Sequence, residues 1–308
     1  MNCPLTVLMT VYNGAPYLRT AIDSILQQTY RDFRFLIIDD GSSDESREIV
    51  RSYDDERVEL LCLERNVGQT AALNIGLGHA STPWIARMDQ DDYSAPTRLE
   101  AEMRALETDQ SLSCVGTYCW TFRVDPKRVE GLVEYPIEHE DLKRVLLRWP
   151  PMAHPSIVVS RAALIDVGGY NERYRYSADL EMYDRLLARY RAANIPRPLL
   201  GLRRHHSQVS SSRTAIEESI EIFLRRLSAN TYGPEDAVLV RAGLSACYLQ
   251  RARHLRAERK YSELLKDLTG SFWLSPKTFL RHGFSFLYVY LRKESAVRCK
   301  TNFQSPNG

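Results

Sequence analysis

No run in this sequence is long and apolar enough to cross a bilayer: the best, FSFLYVYL at 284–291, has eight residues, where a membrane helix needs roughly 20. The start also lacks a signal, since Met-Asn-Cys-Pro followed by LTVLMT has neither a basic n-region nor a long apolar h-region. A cytoplasmic chain is therefore expected. Charge of one sign is missing too. The net charge of +2 is too near balance for a nucleic-acid binder, and no Lys/Arg run is interleaved with aromatics as a base-stacking surface requires. Cysteine is scarce and scattered, with six residues at Cys3, Cys62, Cys114, Cys119, Cys247 and Cys299. Only Cys114 and Cys119 are close, and their C-x4-C spacing has no second pair to complete a zinc site. Reduced, buried thiols are expected.

What is present is core-forming material. The 308 residues are 44% hydrophobic, enough for one large soluble domain or a domain with an appendage. The near-neutral total hides an asymmetry: residues 251–300 carry twelve Lys/Arg against four Asp/Glu, about +8, leaving the first 250 near −6.

The first half alternates apolar, β-rich runs with amphipathic stretches. LTVLMT (5–10) precedes a helical 17–28, and FRFLIID (33–39) precedes a helix after Gly41-Ser42-Ser43-Asp44. RVELLCL (57–63) precedes a helical 70–80, and WIARM (84–88) precedes a helical 98–108. Four β-α units in series predict an α/β fold, a mostly parallel sheet flanked by helices. Further on, LSCVGTY is a strand candidate, a helix is expected near 140–148, and another within GGYNERYRYSADLEMYDRLLARY. Asp179 and Glu181 lie about 200° apart around that last helix, so both cannot face one pocket. Beyond 214 the pattern is helical, over 214–229, 234–257 and 260–269, followed by a basic-aromatic end and a tail, TNFQSPNG, expected to be disordered.

In such sheets ligands bind beyond the carboxyl ends of the strands. The four polar loops that fall there are TVYNGA, DDGSSD, ERNVGQ and DQDD. Each has a plain reading of its own. DDGSSDES serves as a turn with Ser43 or Asp44 capping a helix, and DQDD as a solvated turn with Asp92 capping the next one. Together they suggest a site. Carboxylates crowded at a strand end, as in DQDD, suit a hard divalent cation that offsets their repulsion, and such a cation takes phosphate oxygens into its remaining positions.

Six ordered pieces carry a resemblance over residues 1–212: TVYNGAPYLRTAIDSILQQTYRDFRFLIIDDGSSDES, NVGQTAALNIGL, ARMDQDDYSAPTRLE, HPSIVVSRAAL, GGYNERYRYSADLEMYDRL and RRHHSQVS. In this order they resemble the glycosyltransferase family 2 enzymes. That resemblance implies a GT-A fold over 1–212; the helical pattern beyond it reads as a C-terminal extension over 213–300, in which 243–276 resembles one tetratricopeptide-like hairpin, and as a tail at 301–308. It implies that Thr10, Tyr12 and Asn13 line a nucleotide pocket and that Asp39 and Asp40 bond the base or ribose. Arg65, Asn66, Gly68 and Asn74 would close over the nucleotide, although Ala71, Ala72 and Leu73 stand where many relatives carry an arginine. Asp91 would bind Mn²⁺ or Mg²⁺, Asp89 would face the donor, and Asp179 would be the catalytic base. Arg203, His205, Gln208 and Ser210 match a later motif, His205 being either a diphosphate contact or an exposed loop histidine. His154 is either a structural hydrogen-bonder or an acceptor contact, and Trp149 with Tyr170 either packs or offers an apolar face to a sugar.

The implied activity is metal-dependent, inverting transfer of a sugar from a nucleoside-diphosphate donor, a UDP-sugar in the first instance, to a hydroxyl of a glycan or lipid-linked acceptor. Polysaccharide biosynthesis is the implied setting. A sugar-nucleotide pyrophosphorylase or a non-catalytic nucleotide-sugar-binding protein is the alternative. The basic tail with Phe272, Trp273, Phe284, Phe286, Tyr288 and Tyr290 raises peripheral contact with the cytoplasmic face of a membrane, against a helical subdomain that buries those rings.

Overall fold

The computed structural model describes residues 4–205, 212–229 and 232–280. The predicted β-α series is present as β1 (Leu5–Val11), α1 (Ala15–Leu26), β2 (Phe33–Asp39), α2 (Ser46–Arg51), β3 (Val58–Cys62), α3 (Gln69–His79), β4 (Trp84–Asp89), β5 (Tyr93–Ser94) and α4 (Arg98–Thr108). There follow β6 (Leu112–Phe122), β7 (Gly131–Val133), α5 (His139–Leu146), β8 (Val158–Ser160), α6 (Arg161–Asp166), α7 (Ala178–Arg189) and β9 (Arg191–Arg203). Helices α8 (Arg213–Ser228), α9 (Pro234–Ala257) and α10 (Tyr261–Leu274) complete the described chain.

Strands β3-β2-β1-β4-β8-β6-β9-β5 form one sheet, with β7 beside β6. The first four are parallel, as expected, but β8 runs antiparallel to both β4 and β6. The second half is therefore mixed, with β9 parallel to β6 and antiparallel to β5. Strand alternation sends the side chains of β1 to two cores. Leu5, Val7, Met9 and Val11 face α1 and α4, meeting Leu18, Ile22, Leu99 and Met103, while Leu8 joins Leu36 and Ile38 against α3 and α7.

Ile216, Ile220, Phe223, Val240 and Leu244 of the C-terminal helices belong to that second cluster, so the extension is continuous with the core beneath the sheet. Helices α9 and α10 pack against each other. Cys114 and Cys119 are buried and free, Cys62 and Cys247 are also free, and Cys3 and Cys299 lie outside the described residues, as does the tail at 301–308. No described helix is long and apolar enough to cross a membrane.

Candidate active site

At the carboxyl end of β1 the buried Thr10 leads into a turn through Tyr12, Asn13 and Gly14. Asn13 takes a φ of +49°, a left-handed conformation that asparagine tolerates because its short amide bonds locally. Its amide oxygen accepts the Ser43 N–H at 2.9 Å, and its own N–H donates to the Ser42 hydroxyl at 3.0 Å. Gly14 N–H donates to the Ser46 hydroxyl, and Ala15 N–H to the Asp44 carboxylate. The first two loops are thus one unit, and Asp44 also accepts the Ser46 N–H and hydroxyl at the start of α2. The Tyr12 side chain is left 46% exposed.

The two aspartates after β2 do different things. Asp39 accepts from Arg47 at 2.5 Å and from the Ser42 N–H, while its Oδ2 is buried with no partner among the described residues. Asp40 accepts the Val67 N–H at 2.7 Å on one oxygen and the Gly68 N–H at 2.9 Å on the other. It thereby caps α3, whose own N-cap, Gly68, has no side chain to do so. Gly41, at φ +73°, lets this loop touch the next: a Cβ there would lie 2.5 Å from the Arg65 and Asn66 backbone. Arg65 is exposed, and the Asn66 amide oxygen accepts from Arg175 at 3.1 Å. Asn74 is pinned away from this edge, donating to the Tyr170 carbonyl and the Glu172 carboxylate and accepting the Tyr170 N–H. Ala72 and Leu73 are core residues.

Along β4, Arg87 and Asp89 share one strand face. Arg87 is fully buried and donates to the carbonyls of Leu8 and Met88 and, at 2.5 Å, to Asp89. Gln90 bonds both the N–H and the carbonyl of Tyr12, latching the DQDD loop to the β1 turn. The Asp91 carboxylate meets His205 Nε2 at 2.7 Å. Asp92 accepts the Arg203 N–H at 3.0 Å, so it braces the loop against β9. The capping role is not realised: α4 starts behind Thr97 with no side-chain cap. The Arg203 guanidinium holds the Asp91 carbonyl and those of Arg123 and Val124, lying over the Tyr17 and Phe122 rings. A cleft of about 530 Å³ opens beside it, lined by Tyr17, Thr20, Arg123, Arg204 and His205 among others.

Burial raises the Asp89 carboxyl above its ordinary value, offset by Arg87 and reinforced by the Asp91 charge. Asp92 is pushed well above, by burial and then by Asp91 and Asp89. These carboxylates are short of positive charge. Among the described residues no cluster of three or more acidic, His or Cys side chains is grouped for a metal; were a hard cation to bind here, the Asp91 oxygen and His205 nitrogen, 2.7 Å apart, would be its protein ligands, and phosphate oxygens and water would fill the rest of the shell.

Asp179 is half-buried in the first turn of α7 and accepts the Leu180 N–H at 2.8 Å. Burial, with a further push from Asp89 that Arg87 opposes, raises its pKa to about 6. Glu181, on the other side of the helix, is buried in ion pairs with Arg185 and Arg225, so the expected division between the two acids holds. His154 Nε2 and the Tyr170 hydroxyl lie 2.8 Å apart. Burial pushes that imidazole well below its ordinary value and Arg87 adds to the effect, so it stays neutral. Tyr170 is buried whereas Trp149 is 53% exposed, and neither acts with the other. Gln208 and Ser210 lie outside the described residues. Reading the sequence for acids and histidines passed over Arg87, Gln90 and Arg175. For Arg87 a signal existed, since strand alternation alone pairs it with Asp89.

With this geometry the comparisons agree. The family described as "Glycosyl transferase family 2" matches residues 6–168. The O-antigen biosynthesis glycosyltransferase WbnJ of Escherichia coli is 32% identical over 229 residues, covering 72% of this chain and 87% of that protein. Among solved structures, the mannosyltransferase PcManGT of Pyrobaculum calidifontis, in complex with GDP-Man and Mn²⁺, matches with a TM-score of 0.63 at 18% identity over 94% of this chain and 81% of that one. TarS 1–349 of S. aureus in complex with UDP-GlcNAc gives 0.64 at 15% identity, over 88% and 81%. The chain belongs to glycosyltransferase family 2, has the GT-A fold, and is a glycosyltransferase.

Proposed function

We propose that this enzyme transfers a sugar, with inversion, from a nucleoside-diphosphate donor to an acceptor hydroxyl, using Mn²⁺ or Mg²⁺. The observation that carries the reading is the gathering of Asp39, at the carboxyl end of β2, with Asp89 and Asp91, at and just beyond the carboxyl end of β4, on the two strands that flank β1, with Asp179 close enough for the Asp89 charge to act on it. Asp39, with its unpartnered buried oxygen, takes a donor from the base or ribose. Thr10, Tyr12 and Asn13 form the wall beside it, and Arg65, Asn66 and Gly68 form the opposite one. Asp40 and Asn74, their polar atoms already engaged, shape that wall without touching the nucleotide. Asp91 and His205 would hold the cation, and Asp89 faces the donor sugar. When bound, the cation neutralises charge gathering on the departing diphosphate.

Asp179 is ionised at neutral pH and accepts the proton of the acceptor hydroxyl as that oxygen bonds the anomeric carbon. Attack comes from the face opposite the breaking bond to the diphosphate oxygen, which inverts the configuration. A donor is first sought among UDP-sugars, because UDP-GlcNAc is held by TarS; GDP-Man in PcManGT makes GDP-sugars the second choice. The O-antigen biosynthesis relative supports a setting in polysaccharide biosynthesis, and we take the acceptor to be a glycan or a lipid-linked glycan on the cytoplasmic side. Peripheral membrane contact rests on the end of α10 and the residues just after it, where Trp273 is 81% exposed against Phe272 and where Lys266 and Lys277 are also exposed; Phe284, Phe286, Tyr288 and Tyr290 lie outside the described residues. Co-sedimentation of the intact protein with liposomes, lost in a Phe272→Ala, Trp273→Ala variant, supports that part, and no co-sedimentation of the intact protein would overturn it. For the activity, UDP-, GDP- and dTDP-sugars are incubated with the protein and Mn²⁺ or EDTA. Cation-dependent release of one nucleoside diphosphate is expected, and release unaffected by EDTA would remove the metal.

A further inference from the structure

We propose that Glu218, on α8, is a positioning residue for the catalytic step, holding the turn that aims Asp179; the inference rests on the reading of Asp179 as the base. The peptide N–H groups of Arg175, Tyr176 and Ser177 all point at this one carboxylate. Arg175 N–H donates to Oε1 at 2.9 Å, and Tyr176 and Ser177 N–H groups donate to Oε2 at 2.9 and 2.8 Å. Ser177 is the N-cap of α7, and its own side chain makes no capping bond. Its hydroxyl points instead to α8, donating to the Ala215 carbonyl at 2.9 Å and lying 3.0 Å from the Ser219 hydroxyl. The entry to the Asp179 helix is therefore clamped from α8, outside the 6–168 segment that the family matches.

The clamp bears on catalysis because of where it sits. Asp179 is two residues beyond Ser177, in the first helical turn, and its direction follows from the phase at which α7 begins. A carboxylate at a helix N-terminus also sits at the favourable end of the helix dipole, so removing it costs bonds and electrostatics at one point. The same turn carries Arg175, whose guanidinium reaches Asn66. The nucleotide side keeps its own supports, since Asp39, Asp40 and the DQDD loop are held by β1, β2, β4 and β9. Loosening the clamp displaces the base, while the donor pocket loses only the Arg175–Asn66 bond and keeps these other supports.

Glu218→Ala and Glu218→Gln are compared with wild type for kcat and for nucleotide Kd, each on protein shown folded by circular dichroism well below its melting temperature. Expected is a fall in kcat of about ten- to a hundredfold for Glu218→Ala, the scale of a misplaced catalytic group, with a much smaller change in Kd, since only the Arg175–Asn66 bond links the turn to the nucleotide wall. Glu218→Gln retains one acceptor oxygen and should fall in between. If Glu218→Ala does not fold, Glu218→Gln and Ser177→Ala carry the test by the same split of kcat from Kd. Wild-type kcat in folded variants, with only a lower melting temperature, would overturn the proposal, as would equal losses in kcat and affinity. Asp179→Asn, run alongside, separates the two claims. An inactive Asp179→Asn beside a fully active Glu218→Ala removes the clamp alone, and an active Asp179→Asn removes the base and the clamp's purpose with it.

Discussion

Replacing Asp40 by Asn tests whether this residue builds the pocket or touches the ligand. Its oxygens accept the Val67 and Gly68 N–H groups at 2.7 and 2.9 Å, and it is 2% exposed. Hydrogen bonds to a charged group contribute about 1.5–3 kcal/mol each. The helix N-terminus it caps adds about 0.3–1 kcal/mol. Asn keeps one acceptor oxygen but sets an NH₂ against the second N–H, so one bond and the charge are lost. The expected destabilisation is about 2–4 kcal/mol. For Ala, which loses both bonds, it is about 4–6 kcal/mol. Urea unfolding followed by circular dichroism reads the difference from the midpoint at constant slope. Nucleotide affinity, measured by calorimetry on the folded Asn variant, should fall less than it does for Asp39→Asn, because Asp39 has the free oxygen. An Asp40→Asn protein of wild-type stability that no longer binds nucleotide would refute this reasoning, since the carboxylate would then be a ligand contact.

Other outcomes follow from the same structure. Glu102 is fully buried with neither oxygen hydrogen-bonded among the described residues and Arg98 Nε 4.0 Å away, and burial raises its pKa to about 8 against a partial offset from Arg98. The unfolded chain loses this proton near 4.5 and the folded one near 8, so stability falls as pH rises between those values. Glu102→Gln, which cannot ionise, should therefore gain about 3 kcal/mol over wild type near pH 7 and nothing near pH 4.5; a gain independent of pH in urea unfolding would contradict it. Because Asp179 is raised to about 6 and must be ionised to take a proton, kcat/KM should drop about tenfold per pH unit below that value. A bound cation shifts this limb downward by countering the Asp89 charge, and a flat profile from pH 4.5 to 7 would exclude the carboxylate. Asp91→Ala should weaken nucleotide binding in the presence of Mn²⁺ and leave it nearly unchanged in EDTA, as read by calorimetry; equal weakening in both would move Asp91 out of the cation site.

The β-α series was legible because each strand is a short, mostly apolar and β-rich run set off by polar loops from the stretch that follows. β9 was not. Its sequence, RAANIPRPLLGLR, contains Pro196 and Pro198, which read against a strand because they remove ladder donors. The register slips between Thr117 and Tyr118, where the partner jumps from Ile195 to Pro198, and this irregularity accommodates them. β8, of three residues, was too short to fix its direction from pattern, so the antiparallel half of the sheet was hidden. In the site, acids at strand ends stood out by type, but their division of labour did not. That Asp40 faces two backbone amides while Asp39 keeps an oxygen free depends on the βα loops touching at Gly41, a contact between residues about 25 apart in sequence. Glu218, clamped to a turn some 40 residues earlier, carried no local signal. Helical phase did separate Asp179 from Glu181, because that needs only the period of one element.

The central claim, single displacement at the anomeric carbon with Asp179 as base, is tested most directly by the configuration of the first-formed product. Proton NMR during turnover of the donor found by the screen, with Mn²⁺ present, distinguishes the two anomers before they equilibrate. The account predicts that the first sugar product has the configuration opposite to the donor, and that Asp179→Asn lowers its rate by about two to four decades. A first product with the donor's own configuration, or an Asp179→Asn protein as fast as wild type, would contradict it.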